Sequence, residues 1–99
     1  MMRIKTMIAA AAIAVSTTAV AADMKPAVIY DMGGKFDKSF NEGVYNGVQK
    51  FTSETGIEVM EFEVTNETQR EQAMRRMAER GATIVLGVGF AQADAISKV

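Results

Sequence analysis

Two short runs, Ala27-Val28-Ile29-Tyr30 and Ile84-Val85-Leu86-Gly87-Val88, are apolar throughout, and they constrain the fold more than any other feature of the chain. Runs of this length and character mark strands buried on both faces, the situation in a parallel sheet covered by helices on either side. Pro26 precedes the first run and cannot donate to a ladder, so it suits a strand start. Between the runs the pattern becomes helical. From Ser39 onward, Phe40, Val44, Val48 and Phe51 recur at spacings of four, four and three, and Gly56 is well placed as a C-terminal cap.

Residues 57–64 alternate instead. Ile57, Val59, Glu61 and Glu63 fall on one face, and Met60, Phe62 and Val64 on the other, a pattern expected of a strand near a sheet edge. Thr65 and Asn66 then open a second helix, with Asn66 and Gln69 spaced as a capping box. Its expected buried side is Ala73, Met74, Met77 and Ala78, with Glu71 and Arg75 paired outside, and Gly81 ends it. After the second apolar run a further helix begins near Phe90, with Ala91, Ala95 and Ile96 apolar.

Strand, helix, strand, helix, strand with short connections predicts an α/β fold with a right-handed parallel sheet. Two strands apolar throughout and one mixed strand predict the spatial order 2-1-3, the mixed strand lying at an edge. Ligands of such sheets bind beyond the carboxyl ends of the strands, where the strand order reverses. Here that is the loop of residues 31–41 beside the turn at Gly89 and Phe90.

The N-terminus carries a different message. Arg3 and Lys5 precede an apolar run from Met7 to Val15, and Ala19-Val20-Ala21 presents small residues at a cleavage site. That is the pattern of a secretion signal over residues 1–21, too short in its apolar part to span a bilayer. Cleavage before Ala22, or one residue later, leaves a mature segment of about 78 residues, one small domain at most. The final helix halts without a cap, so the chain is expected to be the front part of a longer protein.

Arg3 and Lys5 are two of 11 basic residues, and the remaining 9 face 12 acids. No basic cluster is left to mark a nucleic-acid or anionic-lipid surface. The chain has no cysteine, so an exported form has neither disulfides nor a lipid-modified cysteine. The expected location is therefore the periplasm, as a freely diffusing monomer.

Residues 31–41, Asp-Met-Gly-Gly-Lys-Phe-Asp-Lys-Ser-Phe-Asn, match neither a dinucleotide fingerprint nor a phosphate loop. They offer a carboxylate at a strand end, two glycines, and an aromatic beside an amide at a helix start. That set suits a neutral planar ligand. Phe40 can lay a face on a ring, Asn41 can donate to and accept from its edge, and Asp31 can accept from hydroxyl or N–H groups. Each also has a plainer reading: Phe40 as a core residue, Asp37 as a helix cap, Gly33 and Gly34 as a turn.

The stretch "IYDMGGKFDKSFNEGVYNGVQKF" resembles the opening of the basic membrane protein family of periplasmic substrate-binding proteins, also called purine-nucleoside-receptor-like. In that family a strand ends in Asp, a double glycine follows, and D-[KR]-S-F-N leads into the first helix. "GATIVLGVGFAQADAISKV" resembles the family's third strand and the G-x-G-F turn after it. The resemblance spans essentially all of residues 22–99. It implies the type I periplasmic-binding-protein fold, with only the first part of the N-terminal lobe present here. It further implies a two-lobed protein that closes on a purine nucleoside and delivers it to an ABC permease. Phe40 falls where the family stacks an aromatic on the base and Asn41 where it bonds the base. Asp31 matches a pocket acid, and Phe90 belongs to the turn lining the same cleft. No cofactor and no metal are implied. The alternatives are a sensor of the same fold and, less favoured, an α/β enzyme. Against the enzyme, the chain has no histidine and no cysteine, and the expected cleft shows no activated serine.

Overall fold

The structure, a computed structural model, describes residues 23–99. The signal expected over residues 1–21 lies outside them. Three strands, β1 (Pro26–Tyr30), β2 (Met60–Glu63) and β3 (Ile84–Gly87), alternate with α1 (Phe40–Thr55) and α2 (Gln69–Glu79). A 3-10 turn at Phe90–Gln92 leads into α3 (Ala93–Lys98). The strands form one parallel sheet in the order β2-β1-β3, as the apolar patterning predicts. In register, Ile29 of the central strand faces Phe62 on one side and Gly87 on the other.

The two crossovers run in opposite directions across the sheet, from β1 outward to β2 and from β2 back past β1 to β3. Right-handed connections therefore put α1 and α2 on opposite faces, and the packing follows. Ala27 and Ile29 point towards α2 and α3, where they meet Val64, Ala73, Met74, Met77 and Ala95. Val28 and Tyr30 point the other way, with Val88, Val44, Tyr45, Val48 and Val59. The alternation read in residues 57–64 holds, because Met60, Phe62 and Val64 join the first cluster and Val59 the second.

The helix ends follow their local chemistry. Gly56 closes α1 in the left-handed conformation at φ 76°, its N–H donating to the Thr52 carbonyl at 2.8 Å, a position where only glycine is unstrained. At α2 the expected capping pair forms, with the Asn66 side chain bonding Thr68 in place of Gln69. Gln69 Oε1 accepts from the N–H groups of Thr65 (2.7 Å) and Asn66 (3.3 Å), and Asn66 Oδ1 accepts from Thr68 N–H at 3.0 Å.

Two expectations need correction. Ala78 is exposed, and the fourth buried position of α2 is Arg70, 8% exposed. Helical geometry explains this, since Arg70 lies three, four and seven residues before Ala73, Met74 and Met77 and so on the same face. Nor is β3 covered on both sides by the described residues. Val85 packs inward, but Ile84 and Leu86 are 59% and 50% exposed. They stand on the α1 face of the sheet, where α1 packs on Val28 and Tyr30 of β1 and on Val88. An apolar groove of about 380 Å³ runs between α1 and the sheet, lined by Val44, Val48, Phe51, Ile84 and Leu86 among others.

Candidate functional site

The carboxyl ends of β1 and β3 open onto a shallow depression of about 620 Å³, lined by Asp31, Phe40, Gly89, Phe90 and Ala91. Three of the four residues expected in the site from sequence therefore meet here. Phe40 is 81% exposed and Phe90 97% exposed. Within the described residues Phe40 is not a core side chain. Both rings stand open to water at the depression that Asp31 also lines.

Asp31 forms the floor of this depression. Its Oδ1 accepts from the Met32 N–H at 2.9 Å and from Arg70 Nη2 at 2.8 Å. Its other oxygen, Oδ2, points towards Gly89, so close that a Cβ there would lie 3.2 Å from it. Gly89 has φ 96°, a second reason for glycine at this turn.

Asn41 is differently placed from the sequence expectation. It is 2% exposed, and its amide bonds the loop instead of facing the depression. Oδ1 accepts from the Asp31 N–H at 3.1 Å, and Nδ2 donates to the carbonyls of Asp31 (3.0 Å) and Met32 (3.4 Å). Both amide protons are thereby used.

Asp37 orders the start of α1. Although Ser39 holds the cap position, its side chain makes no capping bond. Instead the Asp37 carboxylate accepts from the N–H groups of Ser39 (2.9 Å), Glu42 (3.0 Å) and Asn41 (3.4 Å). Desolvation is the largest single influence and pushes its carboxyl up, but the backbone donors together outweigh it and hold the group below the usual carboxylate range. The Lys38 N–H in turn donates to Glu42 Oε1 at 2.9 Å. Phe40 leaves this fixed first turn towards the depression.

The far side of the loop is tied to β2. Lys35 Nζ pairs with Glu61 Oε1 at 3.3 Å and lies 5.0 Å from the centre of the Tyr45 ring. Tyr30 donates from its hydroxyl to Glu61 Oε2 at 2.6 Å. Burial pushes the Tyr30 hydroxyl up, and the hydrogen bond to Glu61 and that carboxylate's charge push it further, so it remains a donor across the physiological range. Gly34, at φ 77°, passes so close to Glu63 that a Cβ would stand 2.7 Å from Oε1.

Beneath the Gly89 turn, Gln92 is 1% exposed and donates from Nε2 to the Ile29 carbonyl at 3.1 Å. Among the described residues no cluster of acidic side chains is arranged to hold a metal ion, and no helix is long and apolar enough to cross a membrane.

With this geometry in view, residues 24–99 match the family described as ABC transporter substrate-binding protein PnrA-like, or Bmp. The chain belongs to the Bmp family. A comparison with curated proteins gave no match. Membership in the Bmp family makes this a substrate-binding protein of the ABC-transporter type. The family's proteins work outside the cytoplasm, handing a small molecule to a permease, and binding rather than catalysis is their task.

Sequence reasoning missed Arg70 and Gln92, the buried polar side chains around the site. Arg70 had a signal. A cationic residue in the first turn of a helix opposes the helix dipole, and this one shares the stripe of Ala73, Met74 and Met77. Gln92 had none, because its partner is a backbone carbonyl 63 residues away.

Proposed function

We propose that residues 22–99 are the leading part of the first lobe of a periplasmic binding protein that captures a purine nucleoside, or a similar heterocycle, for import. The observation that carries this reading is the pair of open rings, Phe40 and Phe90, flanking the depression floored by Asp31. A flat heterocycle can lie against an aromatic face while a neighbouring N–H or hydroxyl donates to the carboxylate. Stacking of this kind supplies roughly 1–3 kcal/mol per base, and each well-formed hydrogen bond to a charged group a further ~1.5–3 kcal/mol.

In this arrangement Asp31, Phe40 and Phe90 touch the ligand, and Asn41 serves from below by fixing the loop that carries Asp31. An open depression on a single lobe buries too little of a nucleoside for tight binding, since small-molecule sites enclose most of the ligand surface. A second lobe closing over it completes the site. Residues 1–21 are the export signal of the same protein, and it reaches the periplasm without a lipid anchor.

Calorimetric titration of the whole mature protein with inosine, adenosine, guanosine, free bases and vitamins tests the proposal. Saturable binding of at least one nucleoside at micromolar concentration is expected. Binding of an unrelated class, such as amino acids or simple sugars, with none of the nucleosides overturns it.

A further inference from the structure

Arg70 comes from the first turn of α2, yet it reaches across to the end of β1 and lies 2.8 Å from Asp31. Its side chain is 10% exposed. Its second neighbour, Glu67, is 3.9 Å from Nη1 and 80% exposed, and Nε has no hydrogen-bond partner among the described residues. Among the described residues, Asp31 is thus the one close ionic contact of a nearly buried guanidinium. For Asp31 the contact has two effects. It occupies Oδ1, together with the Met32 N–H, and leaves Oδ2 turned to Gly89 and the depression. It also sets a full positive charge against the carboxylate at close range, where partial burial limits screening.

We infer that Arg70 is a positioning residue and a determinant of specificity. It leaves one acceptor of fixed direction on Asp31 and cancels its charge, so the site takes a neutral hydrogen-bond donor in preference to a cation. This rests on the nucleoside reading above. A bare carboxylate on the floor of the depression would attract any cationic ring. A paired one gains little from the ligand's charge and responds instead to a donor aimed at Oδ2. Arg70 is buried on the apolar stripe of α2, whereas exposed residues such as Lys50 and Glu54 pair on the surface at 4.0 Å without reaching the site.

The test uses two probes on the whole mature protein, guanosine and 7-methylguanosine, in mildly acidic buffer where the methylated nucleoside is a cation. Wild type is expected to favour guanosine. Arg70→Met should weaken guanosine binding roughly 10-fold or more, the effect of freeing a buried polar group from its partner, and shift the ratio of affinities towards the cation. Arg70→Lys, which restores the charge, should return the ratio towards wild type, and it also serves if the methionine variant fails to fold. In an Asp31→Asn background, exchange of Arg70 should leave the ratio unchanged, because its action passes through Asp31. An unaltered ratio in Arg70→Met, or the same shift without Asp31, overturns the inference. If wild type binds neither nucleoside, guanosine is not the ligand, and the wider titration above decides the ligand reading separately. The pin itself is then read without ligand, from ¹⁵N resonances of the Arg70 guanidinium. Hindered rotation that is released by Asp31→Asn supports it, and free rotation in wild type overturns it.

Discussion

The side-chain amide of Asn41 pairs with the backbone of Asp31 as a neighbouring strand would, accepting from its N–H at 3.1 Å and donating to its carbonyl at 3.0 Å. β1 ends at Tyr30, and its next residue is still held in both hydrogen-bonding directions, but by a side chain from α1. The strand is effectively one residue longer than its ladder, and that residue is the acid of the site.

This pairing makes Asn41→Ala a test of stability before it is a test of affinity. Its loss leaves the Asp31 N–H without a partner in a part-buried setting and leaves the Asp31 carbonyl only the Gly34 N–H at 3.2 Å, at roughly 1–3 kcal/mol for such groups. The melting temperature of the ligand-free protein should fall. Nucleoside affinity should fall as well, because Asp31 loses its fixed direction. A variant with unchanged melting temperature and weakened binding would return Asn41 to the direct ligand contact expected from sequence.

Phe40→Ala and Phe90→Ala should behave in the opposite way. Both rings are open to solvent, so removing them creates no cavity, and the ~3–5 kcal/mol of stability lost on truncating a core phenylalanine is not expected. Nucleoside affinity measured by calorimetry should drop by roughly 1–3 kcal/mol at whichever ring stacks on the base. A large fall in melting temperature with normal binding by Phe40→Ala would make that ring a core residue of the complete protein.

Asp37 gives a pH dependence of defined sign. Its carboxyl lies below the usual range in the folded protein, so the unfolded chain binds the proton more readily. The stabilisation is fully present above the ordinary carboxylate range and fades as pH falls through the folded-state value. Thermal melts of wild type and Asp37→Asn should therefore differ most near neutrality and converge in acid. A gap that is constant across that interval would contradict the capping assignment.

Export is tested by mass. Expressed in a Gram-negative host, the protein should be recovered from periplasmic extract with Ala22 or Asp23 at its N-terminus, following the Arg3, Lys5, apolar run and Ala19-Val20-Ala21 series. Intact Met1 on membrane-bound material would refute it.

The fold was legible because its signals are local and repeated. The unbroken run at 27–30, the alternation at 57–64 and the glycines at 56 and 81 each report on their own neighbourhood, and their sum fixes the strand order. The meeting of Asp31, Phe40 and Phe90 at one depression was legible too, since the carboxyl end of a central strand is where this topology opens. The direction of each side chain was not. Asn41 and Phe40 are adjacent, and one turns under the loop while the other turns out of it. Nothing in the order of the two residues states which amide or ring finds a backbone partner. Arg70 was hidden for a related reason: its contact with Asp31 spans 39 residues and exists only once the sheet has brought α2 beside β1. The exposure of Ile84 and Leu86 belongs with these. A residue's apolarity favours burial without naming an element to supply it.

Gly89 has a further consequence for how this surface can change. A side chain there would crowd the free oxygen of Asp31, and the left-handed backbone disfavours one in any case, so the position has little freedom to drift. Phe40 and Phe90 stand on either side of it with their rings in water and few duties to the fold. Under the proposed function, replacing them would alter what the depression recognises while leaving the sheet, the Asn41 pairing and the Arg70 contact intact. On that proposal, selection for folding and selection for ligand act on different residues of one small surface, and a new specificity can arise there without loss of structure.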